Sequence, residues 1–356
     1  MGYSTTERAG RWCSRALAVA LAVSCITGRV RDAAAQGSTQ QSASILFFPT
    51  VQVDETHDTV IQITNASNSA RNARCVYLDG SLTAAGAPRC AQTNFDLQLV
   101  ARQTALWVVS AGQRATSGAV VDDIPQPLRL VPPLAAGFAG ALVCVEVDAA
   151  GFPIAGNAMI GTATLQHPAN GNVAQYDAFG LRGFDTNDGN EVLCLGGTVT
   201  AACPNGAEYE GCPGRWVLNF IAEGAEDPLA GAGSSVQTEL TVLPCAQDFR
   251  LSNPTSVTVN FSVYNEFESQ LSASTDVSCW VTSPLIAISD LAFSAADLGT
   301  LHARAVVTAG LLDGGVALVA REIHSVSGAP ASSGATVPHL DPADARADVI
   351  TLPPVR

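Results

Sequence analysis

The segment FDTNDGNE, residues 184–191, holds the densest group of oxygen ligands in the sequence. Calcium takes roughly six to eight oxygen ligands from flexible loops, and Asp185, Asn187, Asp188 and Glu191 offer such oxygens. The spacing departs from the EF-hand loop, because the Asp-Gly pair arrives one residue too early. An Asn-Asp-Gly turn between strands accounts for the same residues. We expect a turn here, with weak calcium binding as the alternative and no other cofactor.

Glu266 and Glu268 form a second candidate site, since paired carboxylates beside aromatic residues are what a glycosidase uses. Two residues apart on a strand end, they would face one side at roughly the 5–5.5 Å separation of retaining enzymes. Edge charges that discourage sheet-to-sheet pairing are the simpler explanation for them. The sequence contains no G-x-S-x-G elbow, H-E-x-x-H motif or P-loop. We therefore expect no catalytic site, and an exported hydrolase is the less favoured alternative.

His57 lies between acidic residues in the segment DETHD, residues 54–58. A carboxylate beside an imidazole could hold a divalent ion. One histidine without a second in register makes a poor zinc site, so we expect a solvated turn.

Three tryptophans follow the N-terminal segment: Trp107, Trp216 and Trp280. Trp107 lies in an apolar run and Trp280 follows a cysteine, so core packing is expected for both. Trp216 follows a Pro-Gly-Arg turn, where its ring could stack on a sugar. A carbohydrate site at Trp216 is therefore an alternative.

Residues 1–35 have the three parts of a cleavable signal peptide. Arginines precede an apolar run at residues 16–26, which is shorter than the roughly 20 residues that span a bilayer. A triple-alanine site follows, and a loose lipoprotein box leaves lipidation at Cys25 open. We predict an exported protein, periplasmic, cell-surface or extracellular, whose mature chain has no transmembrane segment.

Without that segment the chain keeps 13 of its 18 arginines and 30 of its 32 acidic residues, so its net charge changes from −14 to −17. The sequence contains no lysine. A chain this acidic repels phosphate backbones, which excludes nucleic acid as a partner.

The same cleavage leaves an even number of cysteines, which favours disulfides in an exported chain. No C-x-x-C pair is present for zinc or redox chemistry. Proximity along the chain suggests the pairs Cys75–Cys90 and Cys203–Cys212. The cysteines that remain would then pair as Cys245–Cys279 and Cys144–Cys194, although many other connectivities are open.

Apolar and polar residues alternate with period two through most of the chain, for example at residues 60–64, 95–99 and 257–264. Helical periodicity is confined to residues 288–298. Short strands, Gly/Pro-rich turns and no crossover helices predict an all-β chain of antiparallel sheets. A faint repeat aligns four segments of the first half (59–65, 73–77, 141–147 and 158–165) with four of the second (238–243, 275–280, 302–308 and 316–324).

This repeat predicts a linker at residues 36–44 and two tandem antiparallel β-sandwich domains, 45–190 and 191–356, linked by disulfides. A single large sandwich is the alternative. The pattern D-T-x-I-x-I-x-N-x-S at residues 58–67 resembles the opening strand of bacterial Ig-like exported β-sandwich proteins of unknown function. The resemblance implies Ig-like domains, which host many roles. We expect a non-enzymatic structural or surface-interaction protein that meets a surface protein or a glycan, with a carbohydrate- or calcium-binding protein as the alternative.

Overall fold

The computed structural model describes residues 38, 41–113, 131–169, 171–184, 187–197, 199–227, 231–251, 254–310, 314–340 and 344–354. The predicted signal peptide, including Cys25, lies outside the described residues. Strands make up most of the regular structure, so the predicted all-β class is confirmed. Period-two alternation determines this, because such a sequence places its apolar residues on one face of a strand and not of a helix.

The first half of the described chain contains nine strands: β1 (Ile45–Val53), β2 (Asp58–Asn65), β3 (Arg71–Asp79), β4 (Ala91–Leu99), β5 (Thr104–Val108), β6 (Phe138–Val147), β7 (Met159–His167), β8 (Asn172–Asp177) and β9 (Phe179–Leu181).

The second half contains the remaining described strands: β10 (Val192–Leu195), β11 (Cys212–Pro213), β12 (Arg215–Ile221), β13 (Ser234–Pro244), β14 (Gln247–Asp248), β15 (Ser256–Asn265), β16 (Gln270–Ser278), β17 (Val281–Pro284), β18 (His302–Ala309), β19 (Val316–Val326), β20 (Ala329–Thr336), β21 (His339–Leu340), β22 (Ala345–Arg346) and β23 (Asp348–Thr351).

Three one-turn helices follow β17, where the sequence shows its only helical periodicity: α1 (Leu285–Ile288), α2 (Asp290–Phe293) and α3 (Ala295–Leu298). The hydroxyls of Ser289 and Ser294 cap α2 and α3 by accepting from backbone N–H groups one turn later. Gly299 ends α3 in the left-handed conformation, with φ of 66°.

The four large sheets have the same strand order in both halves. In the first half a five-stranded sheet runs β4-β3-β6-β1-β9 and a four-stranded sheet runs β5-β2-β7-β8. In the second half the orders are β16-β15-β18-β12-β21 and β17-β13-β19-β20. Each strand of the first half therefore has one counterpart in the second, and every neighbouring pair in these sheets is antiparallel.

The strand order corrects the alignment of the sequence repeat. Residues 275–280 were aligned with residues 73–77 because both segments carry a cysteine. By strand order, residues 73–77 belong to β3 and correspond to β15, whereas residues 275–278 belong to β16, the counterpart of β4. A shared residue type is weaker evidence than position in a hairpin, because the hairpin partner is determined by the turn between the strands.

The two halves share apolar packing. One face of the first five-stranded sheet, with Leu46, Tyr77 and Leu142, packs on the four-stranded sheet of its own half. Its other face, with Phe47 and Val143, joins the hydrophobic cluster of the second half. The central strands β1, β3 and β6 are therefore buried on both faces. The division into two domains at residue 190 remains a prediction.

Two small sheets connect residues 192–213 with the last described strands. Their orders are β10-β23-β14 and β11-β22. β14 pairs parallel to β23, and the other pairs of these sheets are antiparallel. The Gly-rich segment between the halves is thus tied by backbone hydrogen bonds to the C-terminal part of the described chain.

Three disulfides form within the described residues: Cys75–Cys144, Cys194–Cys203 and Cys212–Cys245. Cys75 and Cys144 lie opposite each other on β3 and β6, with Cα atoms 4.1 Å apart. The buried Cys90 and Cys279 are thiols. All four pairs suggested by sequence proximity are therefore wrong. Cys75 and Cys144 are far apart in the chain and meet because the register of β3 and β6 places them opposite each other.

Candidate binding groove

The outer face of the second five-stranded sheet carries an open groove of about 770 Å³ at the end where the β15–β16 hairpin turns. Strands β12, β15 and β18 alternate between buried apolar residues on the inner face and exposed or half-buried residues, most of them polar, on the outer face. We call this site the groove, and its polar and aromatic walls are formed by Asn219, Tyr264, Glu266, Glu268, His302, Arg304 and Glu322.

A cross-strand row determines the floor of the groove. Arg304 on β18 lies opposite Asn219 on β12 and opposite Tyr264 on β15. Its guanidinium carbon is 5.2 Å from the centre of the Tyr264 ring. This is a cation–π contact on an exposed sheet surface. His302 is the exposed residue two positions earlier on the same strand, so its side chain lies on the same face.

The hairpin turn forms one wall of the groove and is held by Asn265. The Asn265 Oδ1 accepts hydrogen bonds from the N–H groups of Phe267 and Ser269, each at 2.9 Å. The Asn265 Nδ2 donates to the carbonyl of Leu298 at 2.8 Å, which fastens the turn to α3. Phe267 at the tip is 75% exposed.

The structure corrects the prediction for Glu266 and Glu268. Both lie in this turn and not on a strand end, and Glu268 has a φ of 63°. Period-two geometry therefore does not determine their separation. Both side chains are exposed to water, whereas a glycosidase acid lies in an apolar environment.

The groove thus presents hydrogen-bond donors and acceptors of both charges around a shallow opening. Arg304 donates in a planar fork, and Glu266, Glu268 and Glu322 accept. Such a set can hold a polar ligand with hydroxyl, amide or carboxylate groups. Sequence analysis identified the two glutamates, but Asn219, His302 and Arg304 come from strands far apart in the chain, and only the alternation of their strands signalled that they face outward.

The predicted calcium residues form a turn, as expected, within the described part of that segment. Asp185 lies outside the described residues. Asn187 Nδ2 donates to the Tyr209 hydroxyl at 2.6 Å, and Asn187 Oδ1 accepts from Gly189 N at 2.9 Å. Asp188 Oδ1 accepts from Asn190 N at 3.2 Å. Among the described residues, no three His, Cys, Asp or Glu side chains come together in a way that could hold a metal ion.

A buried carboxyl that the sequence did not suggest lies beside this turn. Glu208 is 2% exposed and accepts from the N–H groups of Asp188 and Cys194, each at 3.0 Å. Burial, reinforced by the neighbouring Asp188 carboxylate, raises the pKa of Glu208 above its ordinary value, although these backbone hydrogen bonds oppose the rise.

The segment of residues 54–58 forms the expected turn. The Asp54 carboxylate accepts from the N–H groups of Thr56 and His57 at 2.6 and 2.8 Å. Partial burial opposes its ionisation, but the hydrogen bond from the Thr56 hydroxyl and those from the two N–H groups outweigh it and hold the pKa of Asp54 below its ordinary value. A second histidine does lie nearby: the ring of His167 at the end of β7 is 5.3 Å from that of His57. Sequence analysis missed this neighbour because the β2–β7 pairing creates it.

The three tryptophans are all buried, which confirms core packing for Trp107 and Trp280 and corrects the interpretation of Trp216. Trp107 Nε1 donates to the Tyr77 hydroxyl at 2.7 Å. Trp216 is fully buried, and its Nε1 donates to the carbonyl of Val316 at 2.9 Å. Trp216 belongs to the alternating inward face of β12, so it has no face free for a sugar.

Comparisons with known proteins identify no family for this chain. No family model matches the sequence. No curated protein matches it either. Among solved structures, it aligns with the transglutaminase of red sea bream at 10% identity and a TM-score of 0.15, over 86% of this chain and 31% of that one. Of the helices in the described part of the chain, none has the length and hydropathy needed to span a bilayer.

Proposed function

We propose that this chain is an exported, non-enzymatic surface-interaction protein made of two tandem Ig-like β-sandwich domains, and that the groove holds its partner. The observation that carries the proposal is the groove itself. It is an open, charged surface on the outer face of a sheet whose inner face is fully committed to the core. Residues on strands are positioned more precisely than residues on loops, and the hydrogen bonds of Asn265 hold the turn that carries Glu266 and Glu268.

The repeated strand order supports the tandem architecture. Each half contributes one five-stranded and one four-stranded antiparallel sheet. In the first half the facing residues of these two sheets share one hydrophobic cluster, which is the arrangement of a sandwich. In the second half the inner faces of both sheets also belong to one cluster.

The disulfides support export. Three form among the described residues, and such bonds persist in oxidising compartments and are rare in the cytosol. They agree with the signal peptide predicted at residues 1–35. The net charge of −14 for the whole chain supports a partner other than nucleic acid.

Binding of labelled protein to intact cells of the host organism tests the proposal. We expect saturable binding by the wild type and at least about tenfold weaker binding by Arg304→Ala, because the planar fork at the centre of the groove is lost. Arg250→Ala is the matched control, since Arg250 is exposed in a different turn. Equal binding by the two variants, or no saturable binding at all, would contradict the proposal.

Hydrolysis of chromogenic glycosides tests the non-enzymatic part. We expect no turnover by the wild type above that of Glu266→Gln and Glu268→Gln. Turnover that either substitution abolishes would make the chain a hydrolase.

A glycan is the partner class that one further observation favours. Phe267 is 75% exposed at the tip of the turn that forms one wall of the groove, and it lies between Glu266 and Glu268 in the chain. The turn thus combines an apolar ring face with hydrogen-bond acceptors for sugar hydroxyls. A glycan array should show binding that Phe267→Ala removes and Leu291→Ala retains, since Leu291 is another exposed apolar side chain, at 61%. Loss of binding in both variants, or in neither, would contradict this role of Phe267.

Calcium binding is the second candidate, favoured by the contact of Asp188 with the buried Glu208. A cation there would relieve the repulsion between the two carboxyl groups. We expect calcium to raise the melting temperature of the wild type relative to EDTA, and not that of Asp188→Asn. Asp177→Asn, at an exposed position of β8, is the control. An unchanged midpoint in the wild type would exclude calcium as a ligand.

A further inference from the structure

The two cysteines outside the disulfides meet although they belong to different halves. Cys90 lies immediately before β4, and Cys279 immediately after β16. Both are buried in the hydrophobic cluster that the halves share. Burial raises the pKa of the Cys279 thiol, and Cys90 lies close enough to raise it further.

The surrounding residues hold these two segments together. The Trp280 indole packs so closely on Gly80 that a Cβ at residue 80 would clash with it. The Trp280 Nε1 donates to the carbonyl of Pro49 at 2.6 Å, which ties the segment after Cys279 to β1 of the first half. These contacts fix the segment after Cys279 against the first half. We call this region, formed by Trp280, Gly80 and Pro49, the junction.

The backbone at both cysteines is unusual. Cys90 has a φ of 51° and Cys279 a φ of 67°, in the left-handed region that favours glycine. A side chain at such a position costs free energy, so it persists where the surroundings determine it. Both cysteines of the pair have this conformation, so the surroundings hold the backbone of each in place at the boundary between the halves.

We propose that Cys90 and Cys279 form a fourth disulfide, which links the two halves of the molecule covalently. The oxidant is a disulfide of the exported compartment, either a small-molecule disulfide or that of a thiol oxidase. One cysteine thiolate attacks a sulfur of the oxidant and releases one thiolate, and the other cysteine then attacks this mixed disulfide and releases the second. Two protein thiols are oxidised, one external disulfide is reduced to two thiols, and the two protons leave with the released sulfurs.

Burial determines when this bond forms. It raises the pKa of the Cys279 thiol above its ordinary value, and the neighbouring Cys90 adds to the effect. Because the thiolate is the nucleophile, the folded reduced protein reacts slowly with an external disulfide. The bond therefore forms during folding, before the junction closes. The proposal does not depend on what the groove binds.

Mass spectrometry of a non-reduced tryptic digest tests it directly. Trypsin cleaves after Arg89, Arg102, Arg250 and Arg304, so that Cys90 lies in peptide 90–102 and Cys279 in peptide 251–304, each as its only cysteine. Protein refolded with glutathione disulfide, with free thiols blocked before digestion, should yield these two peptides linked. The linked peptides 75–89 and 130–182, which carry Cys75 and Cys144, are the internal control. Blocked thiols at both Cys90 and Cys279 beside a linked control would overturn the proposal.

Thermal unfolding of oxidised variants provides a second measurement. If the bond exists, Cys90→Ser, Cys279→Ser and the double variant lose the same cross-link, and their melting temperatures fall together by roughly 5–10 °C. If the thiols act separately, the two single effects add in the double variant. Additive decreases would contradict the disulfide.

Discussion

The two five-stranded sheets have the same strand order but different surroundings. In the first half, β1, β3 and β6 are buried on both faces, between the four-stranded sheet of their own half and the second half. In the second half, β12, β15 and β18 bury one face only. The difference shows how a repeated topology can bury both faces of the central strands in one copy and leave one face of the corresponding strands open in the other.

The sequence of each sheet agrees with its surroundings. β6 reads FAGALVCVEV and is nearly continuous in apolar residues, as expected of a strand buried on both faces. β15 reads SVTVNFSVYN and alternates strictly. Polar residues on the outer face of β15 and its neighbours contribute to the groove, whereas the central strands β1, β3 and β6 of the first five-stranded sheet are buried on both faces.

The largest expected effect is at the junction that covers the first sheet. Trp280→Ala should lower the free energy of unfolding by about 3–5 kcal/mol. Removal of the buried indole leaves a cavity over Gly80, and the carbonyl of Pro49 loses its hydrogen-bond donor. Phe267→Ala is the control and should change the free energy of unfolding by less than about 0.5 kcal/mol, since this ring is exposed. Urea unfolding measures both. Similar small losses would mean that the junction does not stabilise the fold.

Two isosteric substitutions test the difference between the sheets directly. Val143 on β6 is 1% exposed, and Val306 on its counterpart β18 is half-buried on the outer face. Val143→Thr buries an unpaired hydroxyl and should cost about 1–3 kcal/mol in unfolding free energy. Val306→Thr should change it by less than about 0.5 kcal/mol. Equal costs in chemical denaturation would show that β6 and β18 are equally buried at these positions.

The next largest effect is expected in the pH dependence of the unfolding free energy, to which a buried carboxyl of the first sheet contributes. Burial raises the pKa of Glu146 on β6, although Ala158 N and Arg71 oppose the rise. The folded chain therefore binds this proton more tightly than the unfolded chain. The resulting stability is fully present below the ordinary glutamate pKa and is lost as the pH rises through the raised one.

We accordingly expect the wild type to lose stability from mildly acidic to neutral pH. Glu146→Gln should flatten this slope and Glu266→Gln, in the exposed turn of the second half, should leave it unchanged. Part of the slope should remain, because burial also raises the pKa of four other carboxyls: Glu208, Glu210, Glu223 and, to about 6, Asp348. Urea unfolding across this pH range is the measurement. A slope that Glu146→Gln does not alter would contradict the assignment.

The smallest effect is expected on the floor of the groove. Arg304→Ala removes an exposed cation–π contact with Tyr264 and should lower the unfolding free energy by about 0.5 kcal/mol or less. With so small a change in stability, the weaker partner binding expected of Arg304→Ala could not be attributed to unfolding. A decrease of several kcal/mol by thermal or urea unfolding would show that Arg304 stabilises the fold and that the outer face of the second sheet also contributes to packing.

Much of the fold could be predicted from local pattern. Alternation at residues 257–264 predicts β15 and its buried face, and the weak helical period at residues 288–298 predicts the helical turns. The candidate site was predicted only in part. Glu266 and Glu268 were identified, but their turn geometry depends on Asn265, whose hydrogen bonds to the turn and to α3 cannot be inferred from spacing.

The sequence by itself determined the all-β class, the acidic character and the inward or outward direction of residues along each strand, because these depend on composition and on the period-two geometry of a single strand. Tertiary structure decided which residues became neighbours. It paired Cys75 with Cys144, buried Trp216 and brought Arg304 to Tyr264 and Asn219. The physical reason is that strand register is set between distant segments, by the fit of whole sheets, and no local spacing records it.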